Sequence, residues 1–214
     1  ANGVDPTQPK TTLQIPSPSV VEVVRDVWYY TKRKTNVYLV ADVSGSMQGE
    51  KLAQAKEAFH TFLSLMKGER ERVGLVIFSS EVQEKVPMAE LTTNRQALQS
   101  AISGLSANGD TALLDAVDWA YEALQSRQNS ERINAIVIMT DGKENNSRIR
   151  LRDLTQKLQQ GNQSGLPVVA FCVAYGNDAD MDTLEAIAEA TGGQTRRGSP
   201  GTIQELYRLL STYF

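Results

Sequence analysis

The stretch Val37-Tyr38-Leu39-Val40-Ala41-Asp42-Val43-Ser44-Gly45-Ser46-Met47 decides the fold. Its first five residues are apolar without interruption, which suits a strand buried on both faces rather than one half-exposed to water. The run ends at a carboxylate, and a serine-glycine-serine segment follows at once. In an open α/β sheet, ligands bind beyond the carboxyl ends of the strands, where the strand order reverses. A polar loop directly after a fully apolar strand is therefore a candidate site.

Working outward, three more runs have the same character: Val73–Phe78, Ile133–Met139 and Val168–Val173. Amphipathic segments separate them. Leu52, Ala55, Phe59, Phe62, Leu63 and Met66 share one helical stripe; Leu98 and Ile102 mark a weaker helix; Leu113, Leu114, Val117, Ala120, Tyr121 and Leu124 form another stripe. After the last apolar run come stripes at Leu184, Ile187 and Ala188, and at Ile203, Leu206, Tyr207 and Leu210. Strands alternating with helices imply right-handed βαβ crossovers and a three-layer open sheet. Glu81–Val86 alternates instead and follows Ser79-Ser80, so it is expected as an antiparallel partner at the sheet edge. Residues 1–18 hold four of the seven prolines and read as a linker or the remnant of a preceding domain. A short leading helix is expected over residues 19–34, where Ser19 and Glu22 have capping-box spacing.

Composition excludes several function classes. The 214 residues carry a net charge of −3, which gives no basic field for nucleic acid or anionic lipid. One cysteine, Cys172, excludes an internal disulfide and a thiolate zinc cluster, and one histidine, His60, excludes two-histidine metal motifs. No stretch approaches the ~20 apolar residues of a membrane helix. The opening Ala-Asn-Gly-Val-Asp shows neither signal peptide nor starting Met and reads as an excised fragment.

Three loops then offer matching chemistry. Asp42, Ser44 and Ser46 alternate, and residues two apart on an extended segment point the same way. Thr111 lies in Asn108-Gly109-Asp110-Thr111 before the long helix, and Asp141-Gly142 follows the third apolar run. Carboxylates and hydroxyls without nitrogen or sulfur suit a hard cation, and few anionic ligands favour Mg²⁺ over Ca²⁺. Capping by the serines and a simple Asp-Gly turn is the alternative for each motif alone.

Together, Asp42-x-Ser44-x-Ser46, Thr111 and Asp141-Gly142 resemble the metal-ion-dependent adhesion site of the von Willebrand factor A domain family, over residues 35–214. All five positions match. The resemblance implies an open, doubly wound, Rossmann-like sheet of six mostly parallel strands with one antiparallel edge strand and helices on both faces, the first strand lying beside the fourth. It implies Mg²⁺, with Mn²⁺ or Ca²⁺ as other candidates, on the hydroxyls of Ser44, Ser46 and Thr111. Asp42 and Asp141 would act directly or through water. It further implies a protein partner whose exposed Asp or Glu completes the shell. Gln48, Asp110, Lys143, Glu144 and Arg148 form the expected partner-binding rim. The Ser-Gly-Ser-Met wording is most similar to bacterial members, and the segment from Gly3 to Trp28 is similar to a junction in bacterial exported proteins. An extracytoplasmic parent is therefore expected, without direct membrane insertion by this fragment.

Enzymatic chemistry is not expected. The P-loop and dinucleotide glycine patterns are absent, and His60 sits mid-helix away from the loops. Cys172 lies inside an apolar run and reads as core. Arg148, Arg150 and Arg152 read as a solvated helix start, and Trp28, Tyr29 and Tyr30 as packing of the leading helix. The expected role is a non-catalytic protein-binding module. The other class is a regulatory or assembly subunit of an intracellular metal-chelatase or AAA-ATPase-type complex. The resemblance also makes the C-terminal helix expected over Thr202–Phe214 the counterpart of one that shifts along the sheet when the metal loops rearrange, with simple packing as the alternative.

Overall fold

The computed structural model describes residues 34–66, 70–141, 144–176, 179–198 and 202. The chain divides into two units at Lys32/Arg33, and the description concerns the second. The linker expected over 1–18, the leading helix apart from Lys34, and the C-terminal helix apart from Thr202 lie outside the described residues.

The strands are β1 (Lys34–Asp42), β2 (Glu71–Phe78), β3 (Val82–Glu90), β4 (Arg132–Thr140), β5 (Val168–Ala174) and β6 (Gln194–Arg197). The helices are α1 (Glu50–Leu65), α2 (Leu91–Ser103), α3 (Leu113–Gln125), α4 (Leu151–Ser164) and α5 (Met181–Ala190). The sheet order is β3-β2-β1-β4-β5-β6. Every neighbouring pair is parallel except β2 with β3. The chain builds leftward from β1 to β3, then returns to place β4 on the other flank of β1. That reversal puts the strand-order switch at the β1/β4 seam.

Alternation along β1 explains why its run is apolar throughout. Val37, Leu39 and Ala41 face a cluster filled by Leu52, Phe59, Phe62 and Leu63 of α1 and by Leu91, Leu98 and Ile102 of α2. Tyr38 and Val40 face the opposite cluster, filled by α3, by Leu154 and Leu158 of α4, and by Leu184 and Ile187 of α5. Both faces are covered, so neither tolerates polar residues in mid-strand.

Three elements differ from expectation. The edge strand begins at Val82 and runs to Glu90, because buried Met88, two residues on from buried Val86, carries the alternation past the expected end. Pro87 lies on this edge strand, where a missing amide donor is tolerated. Helix α4 has only a solvated start at Arg148–Arg152 as its forecast; it buries just Leu154 and Leu158, too few to show as a stripe. Strand β6, Gln-Thr-Arg-Arg, has no fully buried residue and carries no apolar signal of its own.

Candidate metal centre

Asp42 is the last residue of β1 and Thr140 the last of β4, the strand beside it, so the two side chains meet across the switch seam. The Thr140 hydroxyl donates to Asp42 Oδ2, and the Ser44 amide donates to Asp42 Oδ1 at 2.8 Å. Asp42 is 1% exposed. Burial pushes its carboxyl up from the usual aspartate range; the Ser44 and Thr140 hydrogen bonds oppose this, and the charge of Asp141 adds to it.

Ser44 is extended, but Gly45–Met47 then turns as one 3-10 segment. The strand alternation therefore does not reach Ser46, contrary to the extended reading. The turn instead brings Ser46 round until its hydroxyl lies 3.0 Å from that of Ser44. Neither serine caps a helix: Ser44 makes no side-chain cap bond, and α1 starts at Gly49 with φ +80° and no cap. Thr111 is not the cap of α3 either, since Ala112 holds that position. The Leu114 amide at the start of α3 donates instead to Glu144 Oε2 at 3.1 Å and to the Ser147 hydroxyl at 3.0 Å. Hydroxyls that look like caps in the sequence are thus released from that duty.

Backbone hydrogen bonds staple the loops together. Gly45 N donates to Gly109 O at 2.9 Å, Asn108 N to Val43 O at 2.8 Å, and Ala112 N to Ser79 O at 2.8 Å. Asn145 N and Asn146 N both donate to Thr111 O at 3.1 Å, while Thr111 N donates to Asn145 Oδ1 at 2.8 Å. A Cβ on Gly45 would stand 3.3 Å from Gly109 O, so a side chain there would crowd the approach of these two loops.

Asp141 follows Thr140 and is fully buried. Its Oδ2 accepts from Lys51 Nζ at 3.0 Å, while its Oδ1 is buried without a hydrogen-bond partner. A buried carboxylate oxygen without a donor is costly unless something positive completes it. Among the described residues no three His, Cys, Asp or Glu side chains gather, so the donor set here is two carboxylates with neighbouring hydroxyls. That set fits a hard divalent cation.

The rim residues are placed unevenly. Gln48, Asp110 and Arg148 are exposed, while Lys143 lies outside the described residues together with Gly142. Both Glu144 oxygens are engaged within the chain, Oε1 by the amides of Asn146 and Ser147 and Oε2 at the start of α3. Sequence reasoning did not single out Thr140, Lys51 or Asn145. Thr140 had a signal, as the polar last residue of an apolar strand one position before Asp141. Asn145 shares the Asp141 loop, but nothing in its type marks it as the acceptor of the Thr111 amide, and Lys51 meets Asp141 only through the fold.

Fold and site together define an open α/β domain with an oxygen-donor centre at the carboxyl edge of its sheet. Residues 36–204 match the von Willebrand factor type A domain family, and the chain belongs to that family. Over 174 residues it is 29% identical to human inter-alpha-trypsin inhibitor heavy chain H4, covering 78% of this chain and 18% of that protein. The chain thus spans under a fifth of such a relative's length. Similar solved structures share its fold. BatB from Bacteroides thetaiotaomicron has a TM-score of 0.69 at 15% identity, over 84% of this chain and 98% of its own. Manganese-loaded TRAP protein of Plasmodium vivax has a TM-score of 0.66 at 16% identity, over 85% and 73%. Proximal thread matrix protein 1 of the mussel byssus, with a zinc-occupied MIDAS motif, has a TM-score of 0.66 at 15% identity, over 83% and 46%.

Proposed function

We propose that this domain is a non-catalytic protein-binding module whose ligand face is centred on one divalent cation. Asp42, Ser44, Ser46, Thr111 and Asp141 would hold it. Mg²⁺ is the expected ion, with Mn²⁺ or Ca²⁺ as substitutes. The single observation carrying this reading is the orphaned, fully buried Asp141 Oδ1, on a carboxylate close enough to Asp42 for the two charges to interact. When bound, the ion supplies a concentrated positive charge that an Asp or Glu of a partner can meet, while Lys or an apolar side chain cannot. On this reading the chain's own residues shape that face: Gln48, Asp110 and Arg148, all exposed, would form its rim and sort one acidic partner from another. The bacterial wording of the motif and the junction-like N-terminal segment support an exported or membrane-anchored parent. No helix among the described residues is long and apolar enough to cross a membrane.

The test is capture of partner proteins on the immobilised domain in Mg²⁺ and in chelator, with Asp42→Ala as control. Binding is expected only for the unmutated domain with the ion present, and it should fail when the partner's acidic residue is neutralised. Equal capture under all conditions would move recognition to another surface.

A further inference from the structure

Lys51 stands where a cation is otherwise unexpected. It is the second residue of α1, at the positive end of the helix dipole, behind a Gly49 start that supplies no side-chain cap. Its ammonium nevertheless reaches the fully buried Asp141 carboxylate at 3.0 Å, keeping only 26% of its own side chain exposed. Taking a lysine head out of water beside a helix N-terminus costs free energy, and a buried carboxylate is the partner that offsets it. Asp141 in turn keeps its other oxygen without a donor. The same carboxylate therefore faces an internal ammonium on one side and offers an unfilled acceptor on the other.

We infer that Lys51 is a built-in competitor for the divalent ion: it neutralises Asp141 in the ion-free domain and is displaced from Oδ2 when the ion binds. The inference rests on the metal-centred reading above. An ammonium and a divalent cation cannot both stay against one buried carboxylate without strong mutual repulsion. Ion binding is thus an exchange of cations at Asp141, and the measured affinity is the difference between the two. The pair also keeps a buried negative charge compensated in the ion-free state, so the centre can empty without unfolding.

The full chain is titrated with Mg²⁺ and with Mn²⁺ by calorimetry, and melted in chelator and at saturating ion, as the unmutated protein, Lys51→Met, Lys51→Gln and Lys51→Arg. Lys51→Met is expected to bind either ion about tenfold tighter, the usual size of such a coupling. It should melt lower than the unmutated protein in chelator and close to it at saturation, so its ion-induced rise is larger. Lys51→Gln, which keeps a donor without the charge, should move the same way if Lys51→Met folds poorly, and Lys51→Arg should stay near the unmutated affinity. Neutral variants that bind the ion no tighter, or more weakly, would overturn the competition while leaving the metal centre standing. No response to either ion in any form would remove the metal-centred reading and this inference together.

Discussion

Gly45 and Gly109 bring two loops backbone to backbone, and the second cannot be replaced without strain. Gly109 has φ +85°, and a Cβ there would lie 2.8 Å from Ser80 Oγ. Gly109→Ala is expected to cost about 1–2 kcal/mol, read as a fall in melting temperature of about 2–4 °C per kcal/mol. Asp141→Ala behaves differently, because the residue follows β4 in a loop and its backbone conformation is not the one at issue. Its expected effect is loss of the Mg²⁺- or Mn²⁺-induced rise in melting temperature with little change in the circular dichroism spectrum. Retention of that rise would remove Asp141 from the site. Cys172 gives a third residue-scale expectation. Burial pushes its thiol up to about 12, so the native protein should resist iodoacetamide at neutral pH and label only when denaturant exposes β5. Asp42, Ser44, Ser46, Thr111 and Asp141 could be proposed from the sequence because residue types and spacing sit directly in it. Lys51 could not, since 90 residues separate it from the carboxylate it meets.

At the scale of elements, α3 is capped from a distance. Glu144 and Ser147 receive the amides at its start, and Asp115 of α3 receives those of Arg148 and Ile149 in return. Glu144→Ala breaks this exchange and is expected to cost about 1–2 kcal/mol in denaturant unfolding, the size of a lost cap. A cost within about 0.3 kcal/mol, ordinary for a surface change, would show that Glu144 is free to act as a rim residue instead. Helices α3 and α4 are also tied by Lys157, which pairs with Asp118 at 2.6 Å and Glu122 at 2.7 Å. Burial alone would lower the Lys157 pKa, but the two carboxylates outweigh it and hold it above the ordinary lysine value. A lysine raised in the folded state stabilises fully below the unfolded value, and that contribution fades as pH rises through the folded one. Lys157→Met should therefore lower stability at neutral pH by no more than about 1 kcal/mol, since the head is partly exposed. The gap to the unmutated protein should close in the alkaline range where lysines titrate. The four apolar strands were readable because both faces of each are covered. Strand β6 and helix α4 were not, since their places are set by neighbours already in position: β6 pairs with β5 by backbone hydrogen bonds, and α4 needs only Leu154 and Leu158 inside.

For the molecule as a whole, the centre is assembled from loops that are remote along the chain. Asp42 and the Thr140 hydroxyl that it accepts are 98 residues apart, and Thr111 comes from a third loop. An unfolded chain presents no such convergence, so a divalent ion should recognise the native state alone and stabilise it by mass action, about 2.7 kcal/mol at a hundredfold excess over Kd. The seam between β1 and β4 also assigns that stabilisation to one direction of the folding reaction. An ion that must wait for distant strands to pair contributes nothing before they meet, and everything to holding them once they have. Stopped-flow kinetics should then show an unfolding arm slowed by Mg²⁺ and a refolding arm unmoved by it. The lifetime of the folded domain, rather than the speed of its formation, would follow the divalent-ion concentration around it.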